Sequence, residues 1–246
     1  MFSISLSVLF FNSTFATIGC PAKGTIHMAY VDYYDSNTIT ITAGYGECNQ
    51  HTWEIQTPIQ HDMTGLASTE DFHYIYIDDF DSNYPDVVIR DSTVEPEWSD
   101  SKLGWYDVND RCIGTIWCSG AYTIPIFTNN SLNKYGNYSD YIKQVLTNGN
   151  PNGTFQEVDA SAYIPVNAIA VWVRALNKDT DGTVQVRITP YENCTMNLTQ
   201  NSNSGEATAA GWLELPRRAS GKLYWFGDDN DDNLFSVRIC GFQIER

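Results

Sequence analysis

The residues best suited to chemistry in this chain are carboxylates gathered in turns. "NKDTDG" places oxygen donors at Asn177, Asp179 and Asp181, with Gly182 for a sharp bend. A calcium loop opens in this way, because a hard cation takes clustered carboxylate and carboxamide oxygens. The twelfth position is Ile188 and not Glu, and the flanks read as strands, so the helix-loop-helix form is excluded. An ordinary polar hairpin turn stays open beside a calcium site. "GDDNDDN" adds Asp228, Asp229, Asp231 and Asp232 within five residues. Like charges this close repel, and a bound divalent ion removes that cost; a solvated loop is the alternative. Asp78, Asp79 and Asp81 in "IDDFDSN" are candidates of the same kind. We expect at least one weak calcium site, at the first loop before the second.

Other chemistries find less. The four histidines are His27, His51, His61 and His73, no serine sits in a G-x-S-x-G elbow, and no cysteine lies in a protease context. Glycoside hydrolysis needs two opposed carboxylates, one with a raised pKa. Thirty acidic residues offer many pairs, and none is marked by its surroundings. There is no phosphate-binding loop, and no CxxC pair to suggest zinc. His73 reads as a strand residue with a satisfied hydrogen bond. The expectation is a protein without enzymatic activity.

What positions these residues is an all-β chain. Of 246 residues, 42% are hydrophobic and 13% aromatic, enough for a real core. "TITITAG" alternates strictly, with Ile39 and Ile41 on one face. "HYIYI" is aromatic and β-branched on both faces, so both faces should be covered. "AIAVWVRAL" and "TVQVRIT" flank the 177–182 turn as a hairpin, and "KLYWFG" and "LFSVRICGFQIE" close the chain as two more strands. "SDYIKQVLTNG" is the one helical signal: Ser139 can cap it, Ile142, Val145 and Leu146 share a face, and Gly149 can stop it. The expected architecture is β-sandwich or jelly-roll modules with one short peripheral helix. The segments are 1–20, an N-terminal strand or attachment arm; 21–125, a β-rich domain; 126–153, an Asn/Gly-rich connection carrying the helix; and 154–246, a C-terminal β-sandwich domain. A signal peptide over 1–20 is the alternative, weakened because the first basic residue is Lys23.

The net charge of −16, with only 14 basic residues, argues against nucleic acid and against an anionic membrane surface as partners. Seven Trp and fifteen Tyr serve core packing, or else sugar stacking and protein contact. The six cysteines are spread thinly, at 20, 48, 112, 118, 194 and 240. N-x-S/T sequons occur at Asn12, Asn129, Asn137, Asn152, Asn193 and Asn197, several of them expected by chance in a chain so rich in Asn, Ser and Thr.

The segment "FHYIYIDDFDSNYPDVVIRDSTVEPEWSDSKLGWYDVNDRCIGTIW" resembles one common in tail-fibre and other virion structural proteins of tailed bacteriophages. The likeness is carried by Tyr74–Asp78, Pro96–Asp100, Gly104–Tyr106 and Asp110–Gly114, and covers roughly residues 25–120. It implies a structural role and no catalytic residue. On this reading the chain is a virion protein, a tail-fibre or tail-tip component contacting the host surface. A capsid decoration or cement protein is the alternative, and a secreted carbohydrate-binding or carbohydrate-active protein the second. Partners would be other virion proteins and copies of the chain itself, with host surface polysaccharide a further candidate. A homo-oligomer is expected, because the two-faced "HYIYI" strand needs cover from a neighbouring subunit or from loops, and a homotrimer by analogy with phage fibres. Assembly in a bacterial cytoplasm implies mostly reduced cysteines, with Cys112–Cys118 the first exception across a short hairpin. Arg111 is expected to pair with a nearby acid.

Overall fold

The fold is a computed structural model that describes residues 24–48, 51–63, 70–78, 87–119, 127–128, 132–135, 143–149, 153–177, 184–192, 198–202, 207–216, 221–227 and 235–245. It is all-β. Six short strands come first: β1 (Ile26–Met28), β2 (Val31–Tyr33), β3 (Thr38–Ile41), β4 (Gly44–Cys48), β5 (His51–Ile55) and β6 (Ile59–Asp62). Five follow: β7 (Glu70–Ile77), β8 (Ile89–Ser92), β9 (Glu97–Ser99), β10 (Gly104–Asp107) and β11 (Asp110–Ser119). The rest are β12 (Phe127–Thr128), β13 (Leu132–Tyr135), β14 (Lys143–Gly149), β15 (Gln156–Asp159), β16 (Ala168–Asn177), β17 (Val184–Thr189), β18 (Leu198–Ser202), β19 (Ala207–Glu214), β20 (Lys222–Gly227) and β21 (Phe235–Ile244).

These strands form antiparallel sheets. In the first half the orders are β1-β4-β5, β2-β3-β6 and β8-β7-β11-β10-β9. In the second they are β12-β13-β21-β16-β19, with β14 also on β21, and β15-β20-β17-β18. The five-stranded sheet is the centre of the molecule. Along β7, Phe72, Tyr74 and Tyr76 enter one core, which they share with Val171, Val173, Leu223, Trp225, Val237 and Phe242. Ile75 and Ile77 enter a second core with Ile39, Ile41, Trp53 and Ile55. The period of two places alternate side chains on opposite faces, and each face of this strand meets its own apolar layer. Tyr74, Ile75, Tyr76 and Ile77 are all essentially inaccessible to water, the burial of each isoleucine worth about 1.5–3 kcal/mol.

Cover for both faces therefore comes from the chain itself. The argument for an oligomer from this strand loses its physical motive. The boundary near 125 separates two sets of strands, but the first core joins them. Phe72 meets Phe242 edge-on at 5.6 Å, buried Thr115 and Asn167 exchange hydrogen bonds, and Trp105 Nε1 donates to Glu245.

The expected helix is corrected. Residues 143–149 form a strand on the edge of β21. Register shifts between Gln144 and Leu146, and between Leu146 and Gly149, irregularly space this strand. Val145 and Leu146 both pack against the core from adjacent positions, which mimics a helical stripe in the sequence. An edge offering unpaired backbone groups outweighed a short helix with little packing of its own. Among the described residues the one helical turn is a 3₁₀ turn at Ser161–Tyr163.

The cysteine exception also fails. Cys112 and Cys118 lie on the same strand, β11, and all four described cysteines, Cys48, Cys112, Cys118 and Cys240, are free thiols. A bulge between Cys112 and Gly114 shifts the register against β7. Cys112 then faces the first core and Cys118 the second. Six residues of strand at about 3.3 Å each hold them far beyond disulfide reach.

One close approach fixes the β10–β11 hairpin. The Arg111 side chain is fully buried and lies flat on Gly104. A Cβ at Gly104 would fall 0.8 Å from Arg111 Nη1, so only glycine fits. Gly104→Ala should therefore destabilise the protein by about 2–3 kcal/mol, the cost of overpacking a filled site. Urea denaturation of wild type and variant measures it, and unchanged midpoints would contradict the packing.

Candidate functional site

The chemistry-bearing side chains that the fold brings together lie around β7 and β8. Asp91 on β8 faces Ile75 of β7 in register. His61 reaches it from β6, in a different sheet, with Nε2 2.8 Å from Asp91 Oδ1. His73 of β7 approaches from the other side, with Nδ1 3.4 Å from Oδ2. His73 is 2% exposed, and its Nε2 has no hydrogen-bond partner among the described residues. One carboxylate thus ties two imidazoles from two sheets. Burial alone would raise the Asp91 pKa; hydrogen bonds from His61 and His73 reverse this and hold it well below the usual carboxylate range.

A nucleophile would turn this constellation into a catalytic one. The Cys118 thiol senses the charge of Asp91, but burial, and then Asp91 and Asp71, push its pKa up to about 12. Burial does the same to Cys48, to about 11, and to Cys112, to about 12. Such thiols stay protonated and inert at neutral pH. The three groups join β6 to β7 and β8 across two sheets.

The second cluster surrounds the hairpin turn. Arg90 of β8 donates to Asp107 at 2.9 Å and to Asp110 at 2.5 Å, while its guanidinium lies 4.5 Å from the centre of the Tyr76 ring. Lys102 donates to the Val108 carbonyl at 2.9 Å and to Asn109 at 2.8 Å. Val108 sits at φ +56°, a conformation a β-branched residue rarely takes, with 84% exposure. The strained tip is tied down by a cation on one side and by the Cys48 thiol donating to the Asn109 carbonyl on the other. Arg111 departs from the expected acid pair. Its guanidinium donates to the carbonyls of Gly24, at 3.0 Å, and Leu103, at 3.3 Å, and stacks on Tyr106. Gly24 in turn donates its N–H to buried Glu47. The acid partners went to Arg90 instead.

A small depression is lined by Phe72, Trp117, Tyr163, Ile239, Phe242 and Lys143. Lys143 pairs with Glu70 and lies 4.5 Å from the centre of the Trp117 ring. Its free interior is about 10 Å³, the space of about one water molecule, too small for a sugar or a cofactor.

Of the residues expected to hold calcium, Asn177 ends β16 opposite Ala207 and Phe235. Its side chain is fully buried, and the expected hairpin is corrected: β16 pairs with β19 and β21 and β17 with β18 and β20, in separate sheets. Asp179, Asp181, Asp228, Asp229, Asp231 and Asp232 lie outside the described residues, as do Asp79, Asp81 and the six sequon asparagines. Asp78 is in place, its N–H donating to the Val88 carbonyl. Among the described residues no three of His, Cys, Asp and Glu are grouped to hold a metal ion. Sequence reasoning missed the pairing of His61, His73 and Asp91, which come from three strands in two sheets, so no local spacing marks them.

No protein-family model matches the chain, and no curated protein matches it.

Two outcomes follow from the triad and the thiols. A depressed folded-state pKa means Asp91 contributes stability that is fully present above the unfolded value of about 3.9 and lost as pH falls toward the folded one. Asp91→Asn should cost about 1–3 kcal/mol at pH 7 and flatten the acid limb below about pH 4; thermal melts from neutral to acid pH measure both, and parallel curves would contradict these contacts. Under denaturing, non-reducing conditions Cys48, Cys112, Cys118 and Cys240 should all titrate as free thiols. In the native protein the half-buried Cys240 should react before the other three, which mass mapping of alkylated peptides checks.

Proposed function

We propose that the chain is a non-enzymatic structural protein of a tailed-bacteriophage particle, a tail-fibre or tail-tip component that contacts the host surface. One observation carries this reading: the segment that resembles phage virion proteins forms the sheet shared by both cores, and its ionisable side chains fix one strand to another. Tyr74 and Tyr76 fill a core, Asp107 and Asp110 hold Arg90, Asp91 holds His61 and His73, and Arg111 anchors backbone carbonyls. These are the duties of a rigid display scaffold. The partners are other virion proteins and a host surface component, and the location is the virion.

Self-association is no longer argued from the "HYIYI" strand and would need another surface. A tail location implies a copy number set by a small closed rotational symmetry, whereas a decoration protein follows the capsid lattice. Quantitative mass spectrometry of purified particles should give the lower number. Purified protein, incubated with host cells first, should reduce adsorption of the particles. A capsid-scale copy number would replace this reading with the decoration protein, and release of reducing sugar from host polysaccharide would replace it with an enzyme.

A further inference from the structure

The sheet β12-β13-β21-β16-β19 turns one face to the core and carries an unusual group of residues on the other. Along β16, Val171, Val173 and Ala175 point inward, so Trp172, Arg174 and Leu176 stand on the opposite face. On β21, Val237 and Ile239 are core and Arg238 points away; on β19, Leu213 is core and Trp212 points away. Register aligns the four. Trp172 is opposite Trp212, and their rings meet edge-on with centroids 5.3 Å apart. In the next row but one, Arg174 is opposite Arg238. All four are partly exposed. Burial raises the pKa of the Cys240 thiol, and the charges of Arg174 and Arg238 oppose that rise.

Like charges directly opposite on a sheet face repel. The chain has 30 acidic residues against 14 basic ones, so a counter-charge would be easy to supply. Yet neither Arg174 nor Arg238 makes an ion pair or a side-chain hydrogen bond with any described residue. The contrast with Arg90, held by two aspartates, and Arg111, held by two carbonyls, is direct. Among the described residues these two guanidinium forks have no counter-ion, and such forks match carboxylates, which they grip in bidentate fashion. The two indoles meet edge-on and so form a corner, in which one ring plane can take the apolar face of a sugar.

We propose that this outer face, built by Trp172, Trp212, Arg174 and Arg238, binds a carboxylated polysaccharide, with the arginines on its carboxylates and the indoles on its rings. A linear glycan brings a narrow strip of charge to the arginines. The net charge of −16 repels a carboxylated glycan as well as a second copy of the chain; the glycan is favoured locally, because it sets single carboxylates on the two guanidinium groups without apposing a second whole surface of that charge. The assignment rests on the surface-contact reading only for where the glycan resides; the binding chemistry stands without it.

The test uses the full chain with polygalacturonate as probe and neutral dextran as control, by affinity electrophoresis and calorimetry at about 0.15 M salt. Wild type should be retarded by polygalacturonate and not by dextran. Arg174→Ala/Arg238→Ala should bind at least about tenfold more weakly, the value of one charge-assisted contact. Its melting temperature should be equal or higher, since a repelling pair is gone, so lost binding is not lost folding. Polygalacturonate should also slow native alkylation of Cys240, with Cys240→Ser identifying that thiol. Equal binding by the double variant, or no binding by wild type, overturns the proposal. So does salt-dependent self-association that the double variant abolishes without any polygalacturonate binding, which would assign the face to a second copy. Capsid-scale copy number together with polygalacturonate binding would refute the tail location and leave the binding face standing.

Discussion

Everything in this structure depends on a sheet that must satisfy two apolar layers at once. A strand covered on one face can exchange side chains with solvent on the other; β7 has no such freedom. Its even-numbered side chains, Phe72, Tyr74 and Tyr76, are fixed by one core and its odd-numbered Ile75 and Ile77 by the other. A slip of one residue would exchange the two sets and misfit both layers. The ionic contacts around it serve that register. Asp91 binds histidines on β6 and β7, and Arg90 reaches from β8 to the β10–β11 turn, so strands that are distant in sequence are pinned at fixed offsets.

This explains how charge is used in so acidic a chain. Several charged groups near the centre are matched locally: Arg90 with two carboxylates, Lys102 with a carbonyl and an amide, Glu47 with a backbone N–H. Arg111 shows that a buried guanidinium can be accommodated by carbonyls and an aromatic face without an acid. Against that background Arg174 and Arg238, without an ion pair among the described residues, stand apart.

The all-β class and the two-sided burial of "HYIYI" were legible in the sequence, because alternation and β-branched content report directly on sheet faces. The strand at 143–149 was not. Its adjacent Val145 and Leu146 carry a helix-like spacing that a register irregularity produces equally well, and the partner that decides between them, β21, lies some ninety residues on. Reach across the fold also hid the triad: His61 and Asp91 are 30 positions apart. The disulfide expected between Cys112 and Cys118 assumed a hairpin where one continuous strand runs, and the bulge that sends them to opposite faces has no signature beyond Gly114.

That bulge has an evolutionary consequence. Upstream of it, β11 places Cys112 toward the first core; downstream, Trp117 keeps that face only because one extra residue has been absorbed. Substitutions in this segment change a side chain and leave its neighbours alone. An insertion or deletion of a single codon would invert the facing of Ile116, Trp117 and Cys118 together and affect both layers. Lineages descending from this chain should therefore vary in the identity of residues 112–118 while conserving their number.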